Sequence, residues 1–124
     1  MNRPRALPAP QPTEVEFQRQ VIDLAHLLGW RVAHFRAALT RHGWRTPVQA
    51  DGAGFPDLCL VRDRVIFAEL KAGRGRLTVD QQAWAAALSA ADAEWQLWRP
   101  ADLDDIARML RARPALSADR DRSK

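Results

Sequence analysis

The 124-residue chain predicts an α/β domain, a mixed sheet flanked by helices, on three observations. Two apolar runs, Leu58-Cys59-Leu60-Val61 and Val65-Ile66-Phe67-Ala68, are separated by Arg62-Asp63-Arg64, the pattern of two short buried strands joined by a tight turn. Apolar residues at helical spacing, Phe17, Val21, Leu24 and Leu28, precede these runs, and Trp84, Ala87, Leu88 and Ala91 follow them. Helices and strands interleaved in this way pack as layers around one core, and a chain of this length makes one domain.

The elements follow in order. Residues 1–12 contain Pro4, Pro8, Pro10 and Pro12 and read as an extended, flexible arm. Thr13 is the expected N-cap of a first helix that Gly29 ends. Residues 30–36 read as the first strand. Residues 37–54 are polar and broken by Gly43, Pro47, Gly52 and Gly54. They read as one long loop, and loops of that length in compact domains are commonly functional. The hairpin comes next, then a basic glycine-rich loop, Ala72-Gly73-Arg74-Gly75-Arg76. Thr78-Val79-Asp80-Gln81 is a capping box that opens the second helix. Glu94–Trp98 reads as a further strand stopped by Pro100. Ala101 or Asp102 starts a last helix with Leu103, Ile106, Met109 and Leu110 on its apolar side. The domain is therefore expected over 13–112, followed by a disordered polar tail at 113–124. There is no internal repeat.

Composition narrows the function. Nineteen basic residues against fifteen acidic give a net charge of +4, which favours polyanionic partners. An arginine-rich composition is also what a GC-rich genome produces. Only Lys71 and Lys124 are lysines, so Lys71 stands where arginine is the default cation, and a compact ammonium does what a planar guanidinium cannot. The single cysteine, Cys59, excludes an intramolecular disulfide framework and a Cys-rich zinc site, and its apolar surroundings make it an inert core residue. No apolar run approaches the roughly 20 residues that span a bilayer, and the N-terminal region lacks a signal-peptide pattern. The expectation is a soluble, cytoplasmic protein without a membrane role.

The chemistry gathers around the hairpin. Side chains alternate along a strand, so Glu69 and Lys71 share one face and Leu70 points the other way. The hairpin returns the chain and brings Asp57 near Glu69. A charge at the end of a buried strand needs a partner or a metal. Glu69 and Lys71 alone could be a salt bridge at a strand mouth. With Asp57 added, two carboxylates and an ammonium converge where a divalent ion and a phosphate can be held together.

Pro56-Asp57 and Glu69-Leu70-Lys71 resemble the PD and ExK elements of the PD-(D/E)xK nuclease superfamily. The finer pattern resembles the VRR-NUC family, in particular its small stand-alone phage and bacterial members. TEVEFQRQVIDLA, GWRVAHFR, GFPDL, AELKAGRGRLTVDQ and WRPADLDDI carry that match, over roughly residues 13–110. The resemblance implies a restriction-endonuclease-like αβββαβ core with a C-terminal helix. It implies a Mg²⁺- or Mn²⁺-dependent deoxyribonuclease acting as a homodimer on branched DNA, such as four-way junctions or flaps, in a bacterial or phage-infected cell. Asp57, Glu69 and the Leu70 backbone carbonyl would bind metal. Lys71 would orient or help deprotonate the attacking water, and Gln81 would assist at the water or scissile phosphate, although a capping-box glutamine can be wholly local.

An acid on the first helix is also implied. Glu14 lies about 50° from the centre of the Phe17-Val21-Leu24-Leu28 stripe and Glu16 about 110°, so Glu14 is better placed to look inward. Either could instead be a solvated first-turn acid that favours the helix dipole. His34 could lie near the scissile phosphate or hydrogen-bond beside the core. Arg74 and Arg76 suit a flexible loop over a phosphate backbone. Arg41, Trp44 and Arg45 in the long loop could hold phosphates and stack on a base at a DNA discontinuity. Trp30, Trp84, Trp95 and Trp98 fall at apolar positions and read as core. The competing readings are a catalytically silent nuclease-fold DNA-binding module, and a phosphohydrolase or structural module without nucleic-acid function.

Overall fold

The computed structural model describes residues 11–35, 38–41, 43–45 and 48–114, with backbone alone at 38–40 and 43–45. The expected arm and tail lie almost wholly outside these residues. The elements are α1 (Glu14–Leu27), β1 (Arg31–His34), β2 (Ala38–Thr40), β3 (Gly43–Arg45), β4 (Leu58–Val61), β5 (Val65–Leu70), α2 (Val79–Ala90), β6 (Glu94–Trp98), a 3-10 turn at Pro100–Asp102 and α3 (Leu103–Arg111). Four strands form a mixed sheet in the order β1-β4-β5-β6, and β2 and β3 form a separate two-stranded ribbon. β1, β4 and β5 run antiparallel, while β6 lies parallel to β5. The parallel step requires a crossover, and α2 supplies it.

The stretch 37–54 is therefore not one loop. Ala38–Thr40 pairs antiparallel with Gly43–Arg45. Three-residue strands are too short for alternation to show in the sequence, and Gly43 and Pro47 beside them read as loop signals.

The sheet is covered unequally. Leu58, Leu60, Ile66, Ala68 and Leu70 are buried on one face with Phe17, Val21 and Ala25 of α1 and Ile106 and Leu110 of α3. Helix α1 begins at Thr13, whose hydroxyl accepts from the Glu16 N–H at 3.1 Å while Glu16 Oε2 accepts from the Thr13 N–H at 3.2 Å. It ends before Gly29, at φ +87°, a conformation that glycine adopts without strain. The opposite face is thinner. Phe35, Phe55, Phe67 and Trp84 are half-buried and meet edge-on around Phe55, at centroid distances of 5.1, 5.9 and 4.9 Å. Helix α2 contributes no fully buried residue. Trp30 and Trp98 are core, as expected, but Trp84 and Trp95 are only half-buried. Cys59 is half-buried too, and burial pushes its thiol pKa up, which keeps it unreactive.

The turn at Arg62-Asp63-Arg64 has a structural task that the sequence did not disclose. Arg62 donates to the carbonyls of Leu28 (3.1 Å), Leu110 (2.8 Å) and Ala112 (2.8 Å). Arg64 donates to those of Met109 (3.0 Å) and Ala112 (3.2 Å), and pairs with Glu94 at 2.9 Å. Both guanidinium groups lie over the Trp30 ring, at 4.6 and 5.3 Å. Carbonyls at helix C-termini lack intrahelical donors, and here two arginines satisfy them at the ends of α1 and α3. Among the described residues no helix is long and apolar enough to cross a membrane.

Candidate functional site

The segment Gly54-Phe55-Pro56-Asp57 delivers Asp57 to the end of the sheet. Gly54 has φ +79°. A Cβ there would lie 2.6 Å from the Gln81 backbone nitrogen and closer still to Asp80, so the backbone packs directly on the first turn of α2. Phe55 fills the space under Trp84, and Pro56 is fully buried. Asp57 then precedes β4. Its Oδ2 accepts from the Leu70 N–H at 2.8 Å, and its own carbonyl accepts from the Phe35 N–H at 2.9 Å. One carboxylate oxygen thus extends the β4–β5 ladder by a rung and fixes the Asp57 rotamer.

Glu69 is next to last in β5 and only 2% exposed, the one buried charged residue among those described. Because Ala68 and Leu70 face α1 and α3, Glu69 faces α2. There Gln81 Nε2 donates to Glu69 Oε1 at 3.0 Å. The same Gln81 side chain uses its oxygen to accept from the Thr78 N–H at 2.9 Å, closing the capping box. Its amide has two ends, so the cap and the contact with Glu69 coexist in one residue. The sequence could show the cap but not the second bond.

Burial and the neighbouring Asp57 carboxylate push the Glu69 pKa up from 4.5 to about 8. Desolvation is the larger cause, followed by the Asp57 charge and a hydrogen bond shared with Asp57, so the two carboxyl groups lie close enough to hold one proton between them. The half-buried Lys71 opposes the rise through its charge, and among the described residues no ion pair links it to either carboxylate. Glu14 adds a further upward push. Glu16, by contrast, is taken up in the α1 cap. Of the two acids in the first turn of α1, Glu14 is the one whose charge reaches Glu69.

Leu70 is the last residue of β5, so its carbonyl sits at this same end of the sheet. Among the described residues no group of three or more His, Cys, Asp or Glu side chains is assembled to hold a metal ion. The close acidic donors are the pair Asp57 and Glu69.

The remaining residues divide. His34 pairs with Leu58, whose side chain is in the α1 core, and directly opposed residues share a face. His34 therefore lies on the other face of the sheet from Asp57 and Glu69. It lines a cavity of about 280 Å³ with Val15, Gln18, Arg19, Ile22 and Asp23. A second cavity, of about 320 Å³, lies beside α2 between Asp51, Ala53, Asp80 and Trp84. Arg74 and Arg76 are exposed in the loop between Lys71 and α2. Arg41 is exposed at the β2–β3 turn; Trp44 and Arg45 belong to β3, and their side chains lie outside the described residues. Sequence reasoning missed the contact of Gly54 with α2, whose only signal was a glycine before Phe-Pro-Asp, and the part played by Arg99 described below.

No protein-family model, no curated protein and no solved structure matches the chain.

Proposed function

We propose that this α/β domain is a metal-dependent DNA endonuclease of the PD-(D/E)xK type, with Asp57, Glu69, Lys71 and Gln81 as its working residues. One observation carries the reading: Glu69, 2% exposed and held by Gln81, stands beside an Asp57 carboxylate that binds the next N–H along, that of Leu70, at the end of a β-hairpin with Lys71 on the same face. A purely structural role would favour a salt bridge or an apolar replacement there, since two adjacent carboxylates in a dry site destabilise each other. The order α1, β1, β4, β5, α2, β6 in and around the main sheet agrees with a restriction-endonuclease-like core.

The donor set fits a hard divalent ion. Mg²⁺ is commonly held by one or two carboxylates, its remaining positions being filled by water and substrate phosphate. Asp57 and Glu69, with the Leu70 carbonyl, would hold it, and Glu14 would add negative charge from the side. When bound, the ion supplies an activated water and neutralises charge on the phosphate. The chain's own part is orientation. Leu70 N–H holds one Asp57 oxygen, leaving the other for a ligand. Gln81 holds Glu69 by one oxygen. Lys71 presents a compact positive charge to a phosphate or to the attacking water. Arg74, Arg76 and Arg41 would bind the DNA backbone, and Trp44 would stack at a discontinuity. Branched DNA, four-way junctions or flaps, is the proposed substrate, cut by a homodimer because a single centre cannot cut two strands symmetrically.

The test is incubation with labelled junction, flap, fork, single-stranded and duplex DNA in Mg²⁺, Mn²⁺ or EDTA. Cleavage of branched DNA with either ion and none in EDTA is the expected result. Salt-sensitive binding without cleavage would make the chain a DNA-binding module instead, and absence of both would remove nucleic acid from the reading.

A further inference from the structure

Lys71 is joined to α2 through residues 72–77, a segment with glycines on both sides of Arg74. Nothing in its composition makes it rigid, yet a side chain from elsewhere holds it. Arg99 directly follows β6, and its two terminal nitrogens donate to the carbonyls of Gly73 (3.1 Å) and Gly75 (2.7 Å). Arg99 is itself anchored, because its N–H donates to Asp102 Oδ2 at 2.9 Å. The residue before it, Trp98, accepts from the Lys71 N–H at 3.0 Å. Lys71 and Arg99 are thus neighbours at the ends of paired strands, and the turn leaving Lys71 is tied back to Arg99. A Cβ at Gly75 would lie 3.7 Å from Lys71 Cδ, so the turn folds over the lysine stem. Gly73, at φ +62°, makes the reversal.

We propose that Arg99 is a positioning residue of the nuclease centre: by forking the Gly73 and Gly75 carbonyls it seats the turn on the Lys71 stem, and so sets both the Lys71 ammonium and the phosphate-binding charges of Arg74 and Arg76. This inference rests on the nuclease reading. The fork is specific to arginine, because two donors held in one plane span two carbonyls at once and a lysine ammonium does not. The guanidinium spends its hydrogen bonds on backbone carbonyls, so among the described residues it forms no ion pair.

The experiment compares wild type with Arg99→Lys and Arg99→Gln in two ways. The first is independent of DNA: trypsin cleavage after Arg74 and Arg76, mapped by mass spectrometry. Both variants should be cut there several-fold faster with little change in thermal midpoint. The second is single-turnover cleavage of a junction in Mn²⁺ together with binding as a function of salt. The rate should fall about tenfold, as small misplacements of an acting group do, and the salt dependence should become shallower by roughly one to two phosphate contacts. Arg99→Lys should recover little of either. The double change Arg74→Ala, Arg76→Ala should weaken binding less in the Arg99→Gln background than in wild type.

Unchanged trypsin cutting would overturn the clamp whatever DNA does. Faster cutting with wild-type cleavage and salt dependence would leave Arg99 purely structural and overturn the positioning role. A wild type that neither binds nor cuts DNA would overturn the nuclease reading and the positioning role with it, while the trypsin result still reports whether the clamp exists. Should Arg99→Gln fail to fold, Arg99→Lys, which keeps stem and charge, decides alone.

Discussion

Glu69→Gln should make the metal-free protein more stable, by an amount that grows as the pH rises from 4.5 to about 8. The folded Glu69 holds its proton up to about pH 8, against 4.5 for the ordinary side chain. Between those values the unfolded chain releases the proton and the folded chain keeps it, so raising the pH favours unfolding. This contribution to stability is whole below pH 4.5 and gone above about pH 8. At about 1.4 kcal/mol for each tenfold change in proton affinity, the full span is worth about 5 kcal/mol. The half-buried Asp57 leaves one side of the pair open to water, which relaxes part of that, so about 2–3 kcal/mol is the expected loss. Glutamine copies the protonated acid: its oxygen can accept from Gln81 and its amide can donate to Asp57, with no proton to lose.

The assay is thermal unfolding in EDTA. The two proteins should melt together near about pH 5 and separate by roughly 10 °C near about pH 8.5, the variant higher. Titratable groups elsewhere act equally on both and cancel in the difference. Adding Mg²⁺ or Mn²⁺ at the higher pH should raise the wild type and leave Glu69→Gln nearly unmoved. A midpoint gap that stays constant with pH would refute the argument, because Glu69 would then not be a protonated, buried acid beside Asp57.

Three further outcomes are expected. Asp57→Asn should abolish cleavage with a near-native melting curve, since the asparagine oxygen can still accept from the Leu70 N–H; cleavage at the wild-type rate would remove Asp57 from the site. Lys71→Ala should leave metal binding visible by calorimetry and cost roughly 10²–10³ in rate, with Lys71→Arg a poor substitute; full activity in the arginine variant would reduce Lys71 to a generic charge. Gly54→Ala should cost about 2–4 kcal/mol by thermal or denaturant unfolding, because it adds a backbone clash to a left-handed φ, whereas Gly73→Ala, left-handed but in open space, should cost only about 1 kcal/mol. Equal losses at the two glycines would show that the Gly54 contact with α2 carries no weight.

What could be read from the sequence was local. The N-cap at Thr13, the capping box at Thr78 and the strand Glu94–Trp98 depend on neighbours a few residues apart, and the observed elements begin where those signals stand. The turn at Arg62–Arg64 was legible because apolar runs bound it on both sides. The features that escaped depend on pairing between distant residues. Alternation shows that Val32 and His34 share a face, but only the register against Leu58 and Leu60 says which face. That register puts His34 opposite the carboxylate pair. Gln81 announced a cap, and nothing in the chain near it announced Glu69. Helix α2 reads as amphipathic from Trp84, Ala87, Leu88 and Ala91, yet Ala87 and Ala91 are exposed, because alanines satisfy a periodic pattern without having the reach to pack.

The arginine surplus illustrates how long-range geometry changes the meaning of a composition. A net positive charge suggested polyanion binding, but Arg62, Arg64 and Arg99 turn their terminal nitrogens to backbone carbonyls, and Arg62 and Arg64 also pair with Asp63 and Glu94. Two of them sit at the end of the sheet opposite the candidate site, where α1 and α3 finish. Helix α2 finishes there as well, since β6 starts beside Ile66 near the Val61–Val65 end of the hairpin. All three helices consequently point their N-termini toward the end that holds Asp57, Glu69 and Lys71: Glu14 opens α1, Gln81 lies in the first turn of α2, and α3 begins just after Trp98, the partner of Leu70. Helix N-termini carry partial positive charge that favours anions. The arginine caps at the far end favour that orientation for the dipoles of α1 and α3. Positive field at the site thus arises from the backbone as well as from Lys71, Arg74 and Arg76, which is an arrangement suited to a phosphate brought against two carboxylates. Arg62→Met, which removes the bonds to Leu28, Leu110 and Ala112 without touching the site, should therefore lower thermal stability far more than DNA affinity, while Arg74→Ala should do the reverse; melting curves and gel-shift titrations of the two variants at one salt concentration separate the structural arginines from those available to a ligand.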